Sequence, residues 1–171
     1  MTYDLTALAV VFEKIPEGTA EQFAKIIENH PRIFVYGAGR SGLMLKAFAM
    51  RLAQMGRTVF VVGETVTPAI TGEDLLILAS ASGTTKSVLR CAETAKGLGT
   101  SVYGITATPT SPLAALSDAF VTLHAPTKDS AVANGIMGTV FEQSVLLFCD
   151  RVAEILCKDP AAMRARHANL E

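Results

Sequence analysis

The sequence predicts an α/β fold, a three-layer αβα sandwich around a five-stranded parallel sheet, in a single domain covering residues 1–171. Three observations carry that expectation. Short apolar and β-branched runs alternate with segments of helical periodicity, the pattern that puts helices on both faces of a parallel sheet. A length of 171 residues suits one domain with a full hydrophobic core. No repeat, low-complexity tract or linker interrupts the alternation.

Taken in order, residues 2–13 carry Leu5, Leu8, Val11 and Phe12 among scattered charges and read as a helix. Pro16 suits the start of a second, in which Phe23, Ile26 and Ile27 recur at helical spacing up to Asn29. The β-rich run Arg32–Tyr36 is the first strand. Gly37-Ala38-Gly39-Arg40-Ser41-Gly42 follows it, and a helix runs from about Ser41 to Gly56. Thr58 to Val62 is the second strand, and Gly63 to Ala69 a polar loop. Asp74 to Ala79 is the third strand, followed by a Ser/Gly/Thr turn and a helix to about Leu98. Ser101 to Thr106 is the fourth strand. Pro109 to Pro112 starts a short helix ending near Asp118, and Ala119 to Leu123 is the fifth strand. From about Ala131 to Lys158 the chain reads as one long helix, and Pro160 starts a last turn.

Composition removes several function classes. Half of the residues are hydrophobic, 18% are charged and the mean hydropathy is +0.36. No uninterrupted apolar stretch is long enough for a bilayer, since Glu142, Asp150 and Arg151 cut the most apolar segment. The apolar surplus points instead to subunit interfaces, with the helix over 132–157 semi-exposed and packed on another copy. Asp4, Glu13 and Lys14, with no basic start, do not make a signal peptide. The net charge is −1 and no Lys/Arg run is interleaved with aromatics, so nucleic acid has no electrostatic footprint. Cys91, Cys149 and Cys157 lack CxxC spacing, as expected of a reducing cytoplasm. His30, His124 and His167 have no second ligand at metal spacing, so no metal is expected.

The chemistry concentrates where the third strand ends. Ser80, Ser82, Gly83, Thr84 and Thr85 lie between that strand and a helix whose face carries Val88, Leu89, Ala92 and Ala95. Hydroxyls and backbone N–H groups at a helix N-terminus, with its positive dipole, suit an anion, above all a phosphate. One hydroxyl is enough for an ordinary N-cap; four exceed that need. In a parallel α/β sheet the ligand sits beyond the carboxyl ends of the strands, where strand order reverses, so the loops after the first and third strands are the expected site.

Gly37-x-Gly39-x-x-Gly42 is also a literal dinucleotide fingerprint, with Glu64 near the end of the second strand where a ribose-binding acid belongs. Against that reading stand Arg40 and Ser41 within the loop, the second anion-type loop after the third strand, and the lack of length for a separate substrate domain. A short nucleotide-binding regulator remains the alternative.

Several stretches together resemble the sugar isomerase (SIS) domain, a flavodoxin-like fold, and within that superfamily the 6-phospho-3-hexuloisomerase family. They are Arg40-Ser41-Gly42, Phe48-Ala49-Met50-Arg51-Leu52, Gly63-Glu64-Thr65-x-Thr67-Pro68-Ala69, Ser80-x-Ser82-Gly83-x-Thr85 and Gly138-Thr139-x-Phe141-Glu142, with Arg166-His167-Ala168-Asn169-Leu170-Glu171 similar to that family's ending. The resemblance covers nearly the whole chain. One departure is that Ala81 and Thr84 stand where that loop usually carries Gly and Glu; Thr84 thereby removes a negative charge beside the phosphate.

The resemblance implies an enzyme that interconverts D-arabino-3-hexulose 6-phosphate and D-fructose 6-phosphate without metal or organic cofactor. It implies the ribulose monophosphate pathway and formaldehyde fixation, and a homotetramer whose sites are shared between chains. The phosphate would be held by Ser41, Ser80, Ser82, Gly83, Thr84 and Thr85, with Arg40 reaching sugar or phosphate. Lys86 reads as a surface lysine. Arg51, in mid-helix, reads either as a site residue or as the partner of an acid such as Glu64. Glu142 is the candidate base: its helix neighbours Ile136, Met137, Val140, Phe141, Val145 and Leu146 are apolar, and a carboxylate among them is expensive unless paired or functional. Gly135 and Gly138 would let a substrate approach it. A structural salt bridge to an arginine is the competing reading of Glu142. His167 is the second catalytic candidate, as acid/base partner or donor. Two other functions fit the same residues: another ketose- or aldose-phosphate isomerase, and a non-catalytic sugar-phosphate-binding SIS module.

Overall fold

The apolar run Leu75–Ser80 is a strand buried at every position, and the sheet is built outward from it. The computed structural model describes residues 5–127 and 138–170. In chain order the elements are α1 (Thr6–Glu13), α2 (Thr19–Glu28), β1 (Arg32–Gly37), α3 (Gly39–Gln54), β2 (Thr58–Val61), β3 (Leu75–Ser80), α4 (Lys86–Gly97), β4 (Ser101–Thr106), α5 (Pro112–Leu116), β5 (Ala119–Thr122), α6 (Thr139–Leu156) and α7 (Pro160–Ala165). All pairings are parallel, in the order β2-β1-β3-β4-β5. The five-stranded parallel sheet and the alternating helices are those the sequence predicts.

The layers follow from which side chains each strand turns to which face. Ile33, Val35, Leu75, Ile77, Tyr103 and Ile105 face a core shared with α1, α2, α3 and α6. Phe34, Leu76, Leu78 and Val102 face the smaller core under α4 and α5. Phe23 of α2 anchors the larger core, stacked on Tyr103 at 3.7 Å and on Phe148 at 6.0 Å. Burial among these rings drives the Tyr103 phenol well above its ordinary pKa, with Cys149 beside it adding to the shift.

Two expectations change. Pro16 does not open α2; its carbonyl accepts from the Thr19 hydroxyl (2.6 Å) and N–H (3.2 Å), and Gly18, at φ +82°, is the N-cap. The helix expected over 131–158 is α6, and the expected turns over 131–137, with Gly135, lie outside the described residues. One face of α6 is closed within the chain. Phe141, Val145, Phe148, Cys149 and Val152 are buried against α1, α2 and α3 of the same chain, because the layer on that face closes only when α6 fills it. Leu147, 45% exposed, is its large apolar residue left outside. No helix among the described residues is long and apolar enough to cross a membrane.

Candidate active site

Strand order reverses between β1 and β3, and there Gly37 pairs with Ala79. The loops leaving these strands therefore emerge side by side at the carboxyl edge, one turning to α3 on one face, the other to α4 on the opposite face. This is the crevice in which an open parallel sheet binds ligands.

The β1–α3 turn explains its own glycines. A Cβ on Gly42 would lie 2.1 Å from the Gly37 carbonyl oxygen, and Gly39 sits at φ +58°. Strand and helix meet so closely that backbone contact alone demands the Gly-x-Gly-x-x-Gly spacing. The cavity beside it, about 290 Å³ between the ends of β1 and β2, is lined by Tyr36, Lys46 and Glu64 among others. Glu64 accepts from Lys46 Nζ at 2.6 Å, so the acid of the dinucleotide reading is already paired.

The β3–α4 loop is a braced cradle whose hydroxyls divide the work. Ser80 is buried; its Oγ accepts from the Gly83 N–H (3.1 Å) and shares a hydrogen bond with Thr85 Oγ1 (2.9 Å). Ser82 Oγ accepts from the Thr84 N–H (3.3 Å) and hydroxyl (2.9 Å) nearer the surface. Ser80 thus shapes the loop, while Ser82, Thr84 and Thr85 form its rim. Gly83, at φ +63°, has no room for a side chain: a Cβ would fall 2.1 Å from Ser111 Oγ. The loop is tied to the neighbouring β4–α5 loop by Ala107 N–H to Ala81 O and Leu113 N–H to Gly83 O, both 3.0 Å. Thr85, the N-cap of α4, makes no side-chain cap bond. First-turn N–H groups left without a capping side chain at a positive helix end are what an anion needs. Lys86, the first residue of α4, is exposed, as read from the sequence.

Glu142 sits in the first turn of α6 and is 8% exposed. Gly138, the N-cap at φ +81°, leaves the space its carboxylate occupies: a Cβ there would be 3.1 Å from Oε1. Oε2 accepts from Arg40 Nε. The pair is asymmetric, the Arg40 side chain being 60% exposed and that of Glu142 11%. Arg40 and Ser41 lie in the first turn of α3, so the ion pair carries the buried carboxylate to the β1 loop, and the Gly37–Ala79 register carries that loop to the Ser80 cradle. Arg40, Ser41, the 80–85 loop and Glu142 therefore share one end of the sheet. The salt bridge to an arginine, which the sequence left open for Glu142, is present, and it is made with Arg40 of the β1–α3 turn.

Two residues stand elsewhere. Arg51 approaches Asp150 of α6 at 3.8 Å, not Glu64, because α3 turns this residue toward α6 while Glu64 belongs to Lys46. His167 follows α7, exposed, with Nδ1 3.1 Å from the Ala168 carbonyl oxygen. Arg166 ties that segment to the Gln54 carbonyl at the C-terminal end of α3. Arg40 is at the other end of this 16-residue helix, about 21 Å from Gln54 at 1.5 Å per residue. Within one chain, His167 is not brought to Glu142.

The sequence offers no sign that Ser111, Thr106 and Thr108 brace the cradle. Ser111 is locally only the N-cap of α5, and its contact with Gly83 depends on how β3 and β4 pair.

Comparison with known proteins gives a consistent result. The SIS domain family matches residues 25–148. The chain is 43% identical over 163 residues to 3-hexulose-6-phosphate isomerase of Mycobacterium gastri, covering 91% of this chain and 81% of that one. It is 41% identical over 162 residues to the protein of the same name from Bacillus subtilis, covering 89% and 86%. Among solved structures, a Methanococcus jannaschii protein whose structure infers a molecular function of 3-hexulose-6-phosphate isomerase superposes with a TM-score of 0.85 at 32% identity, covering 97% and 96% of the two chains.

Proposed function

The chain belongs to the SIS domain family, and from that premise we propose that it is a sugar-phosphate isomerase interconverting D-arabino-3-hexulose 6-phosphate and D-fructose 6-phosphate. The observation that carries the reading is the Arg40–Glu142 pair, a buried carboxylate tied to the β1–α3 turn, whose strand lies beside the one that feeds the braced β3–α4 loop. A module that only binds sugar phosphate needs no base there, so Glu142 is the residue on which the two readings part.

The cradle holds the 6-phosphate through Ser82, Gly83, Thr84, Thr85 and the first-turn N–H groups of α4, with Ser41 opposite. Only the C6 oxygen of the 3-ulose could close a five-membered ring on C3, and it carries the phosphate, so the substrate enters open-chain. Glu142 takes the proton from C2. The electron pair forms the C2–C3 double bond of a cis-enediol as the O3 carbonyl gains a proton. Return of a proton from Glu142 to C3, with loss of the O2 proton, leaves the carbonyl at C2. The step moves protons only. Arg40 orients the carboxylate, and its remaining donors face the oxygens on which negative charge develops.

The protein acts as a cytoplasmic homo-oligomer, a tetramer by analogy with its family. Free Cys91, Cys149 and Cys157 are consistent with a reducing compartment. The interface we favour is the outer ridge of α3, where Leu43 (56% exposed) and Met50 (52%) flank Ala47, with Leu147 on the open side of α6, the helix packed beside it. Two copies of this ridge packed antiparallel about a two-fold axis would set the C-terminal end of one α3, with His167, against the N-terminal end of the other, with Arg40 and Glu142. His167 would then serve the neighbour's site as donor to the enediol. The reaction would belong to the ribulose monophosphate route of formaldehyde fixation.

The test is proton exchange. Fructose 6-phosphate incubated with the protein in deuterated water should gain deuterium at carbon, and Glu142→Gln should abolish the gain while the sugar phosphate still raises the melting temperature. Exchange that persists in Glu142→Gln would move the base elsewhere. Binding without exchange in the unaltered protein would favour the non-catalytic module.

A further inference from the structure

Helix α7 has no buried residue. Beneath it lies a cavity of about 470 Å³ whose lining includes Met55, Arg57, Leu156 and Lys158, so packing does not hold the helix in place. Three attachments do. Asp159 caps its N-terminus through the Ala161 and Ala162 N–H groups, both 3.0 Å. Met163 Sδ lies 3.9 Å from Cys157 Sγ. Arg166, at the C-cap, reaches back across to α3.

The Arg166 contact has a specific shape. Its NH1 donates to the Gln54 carbonyl (3.4 Å), at the end of α3, and to the Ala162 carbonyl (3.3 Å), within α7. Its guanidinium lies against Gly56: a Cβ there would meet Cζ at 3.3 Å, NH2 at 3.4 Å and Nε at 3.5 Å. Gly56, at φ +84°, ends α3 in the left-handed conformation, so glycine serves both the turn and the room for the guanidinium. A cation over the C-terminal carbonyls also suits the negative end of the α3 dipole. The buried Gln54, 7% exposed, lies in the same place.

We propose that Arg166 is the positioning residue for His167. By clasping Gly56 and the Gln54 carbonyl it couples the loosely packed α7 to the rigid α3, and so fixes where the next residue presents its imidazole. The inference rests on the reading of His167 as a group acting in a neighbouring subunit's site. A helix cap alone would stabilise α3 without touching the rate.

The experiment compares kcat, KM, melting temperature and assembly state for the unaltered protein, Arg166→Met, Arg166→Lys, His167→Asn and the double variant Arg166→Met/His167→Asn. We expect His167→Asn to lower kcat about 100-fold. Arg166→Met should lower kcat about tenfold, with KM changed less than about twofold and assembly unchanged. The double variant should be no slower than His167→Asn, because a clasp has nothing to place once the imidazole is gone. Arg166→Lys keeps the cation at the end of α3 but lacks the planar fork, so it should retain stability and still lose kcat, which keeps the test decisive if Arg166→Met folds poorly. Full kcat in Arg166→Lys, or a double variant slower than His167→Asn by the whole Arg166 factor, would overturn the proposal while leaving His167 in its role. Full kcat in His167→Asn would instead remove the underlying reading, and the clasp with it.

Discussion

Arg40 and Glu142, 102 residues apart, form an ion pair in which the carboxylate is buried and the guanidinium is open to solvent. Removing either partner has a different consequence. Without Arg40, a carboxylate is left buried and unpaired; without the Glu142 charge, an accessible arginine simply hydrates. Arg40→Met should therefore destabilise the fold by about 2 kcal/mol, between the values for exposed and buried pairs, and lower kcat about 100-fold. Glu142→Gln should lower the rate further with little loss of melting temperature. Calorimetry and steady-state kinetics on the two variants check the asymmetry.

Gly83→Ala should damage the cradle twice over. The residue is held at φ +63°, and the new methyl would fall 2.1 Å from Ser111 Oγ. We expect a stability loss of roughly 2 kcal/mol and a rise in KM for fructose 6-phosphate, with a smaller effect on kcat. Adding Ser111→Gly should recover part of the KM, since it relieves the contact and leaves the backbone strain. No recovery would mean that strain alone sets the effect.

Hybrid assemblies test whether sites are shared. Mixed, refolded Glu142→Gln and His167→Asn subunits each lack one group. If His167 works across a two-fold interface, each hybrid pair contains one intact site, and random mixing restores about a quarter of the unaltered activity. If both groups came from one chain, the mixture would be as slow as its parents. Leu43→Asp/Met50→Asp, which charges the α3 ridge, should separate the subunits in sedimentation and abolish activity together.

Acid stability should report on Asp74. Burial favours its neutral form, but hydrogen bonds from Arg32 (2.6 and 2.8 Å) and from the Thr71 N–H (2.7 Å) and hydroxyl (2.9 Å) outweigh that, and the carboxyl sits below its ordinary value. A carboxyl lowered in the folded state binds its proton more readily when unfolded. Its contribution is therefore complete above the unfolded value of about 4 and is lost as pH falls from there toward the folded value. Asp74→Asn should be less stable than the unaltered protein at pH 7, and the difference should shrink below about pH 4. A gap constant from pH 7 to pH 3 in thermal melts would show that the charge contributes nothing.

Much of the site was legible because its signals are local. A wholly apolar run ending in Ser80-Ala81-Ser82-Gly83-Thr84-Thr85 announces a buried strand feeding a helix N-terminus, whatever surrounds it. Glu142 among apolar helix neighbours announces a charge that must be paired or used. What stayed illegible depends on contacts between distant segments. Arg51 meets Asp150 instead of Glu64 because of how α3 is rotated against α6. Helix α6, apolar enough to suggest an outer interface, lays Phe141, Val145, Phe148 and Val152 against α1, α2 and α3 of its own chain, contacts that no local pattern announces.

By itself, then, the sequence determined the strand-and-helix alternation, the Ser/Gly/Thr loop at the N-terminus of α4 and the need of Glu142 for a partner or a use, since these follow from periodicity, turn chemistry and the expense of a lone buried charge. Only the tertiary structure decided that Arg40 holds Glu142, that Ser80 braces the loop from inside, and that His167 lies at the far end of α3. Those relationships are set by strand order and helix packing, which bring together side chains that no local pattern connects, and which keep apart residues that the chemistry alone would have joined.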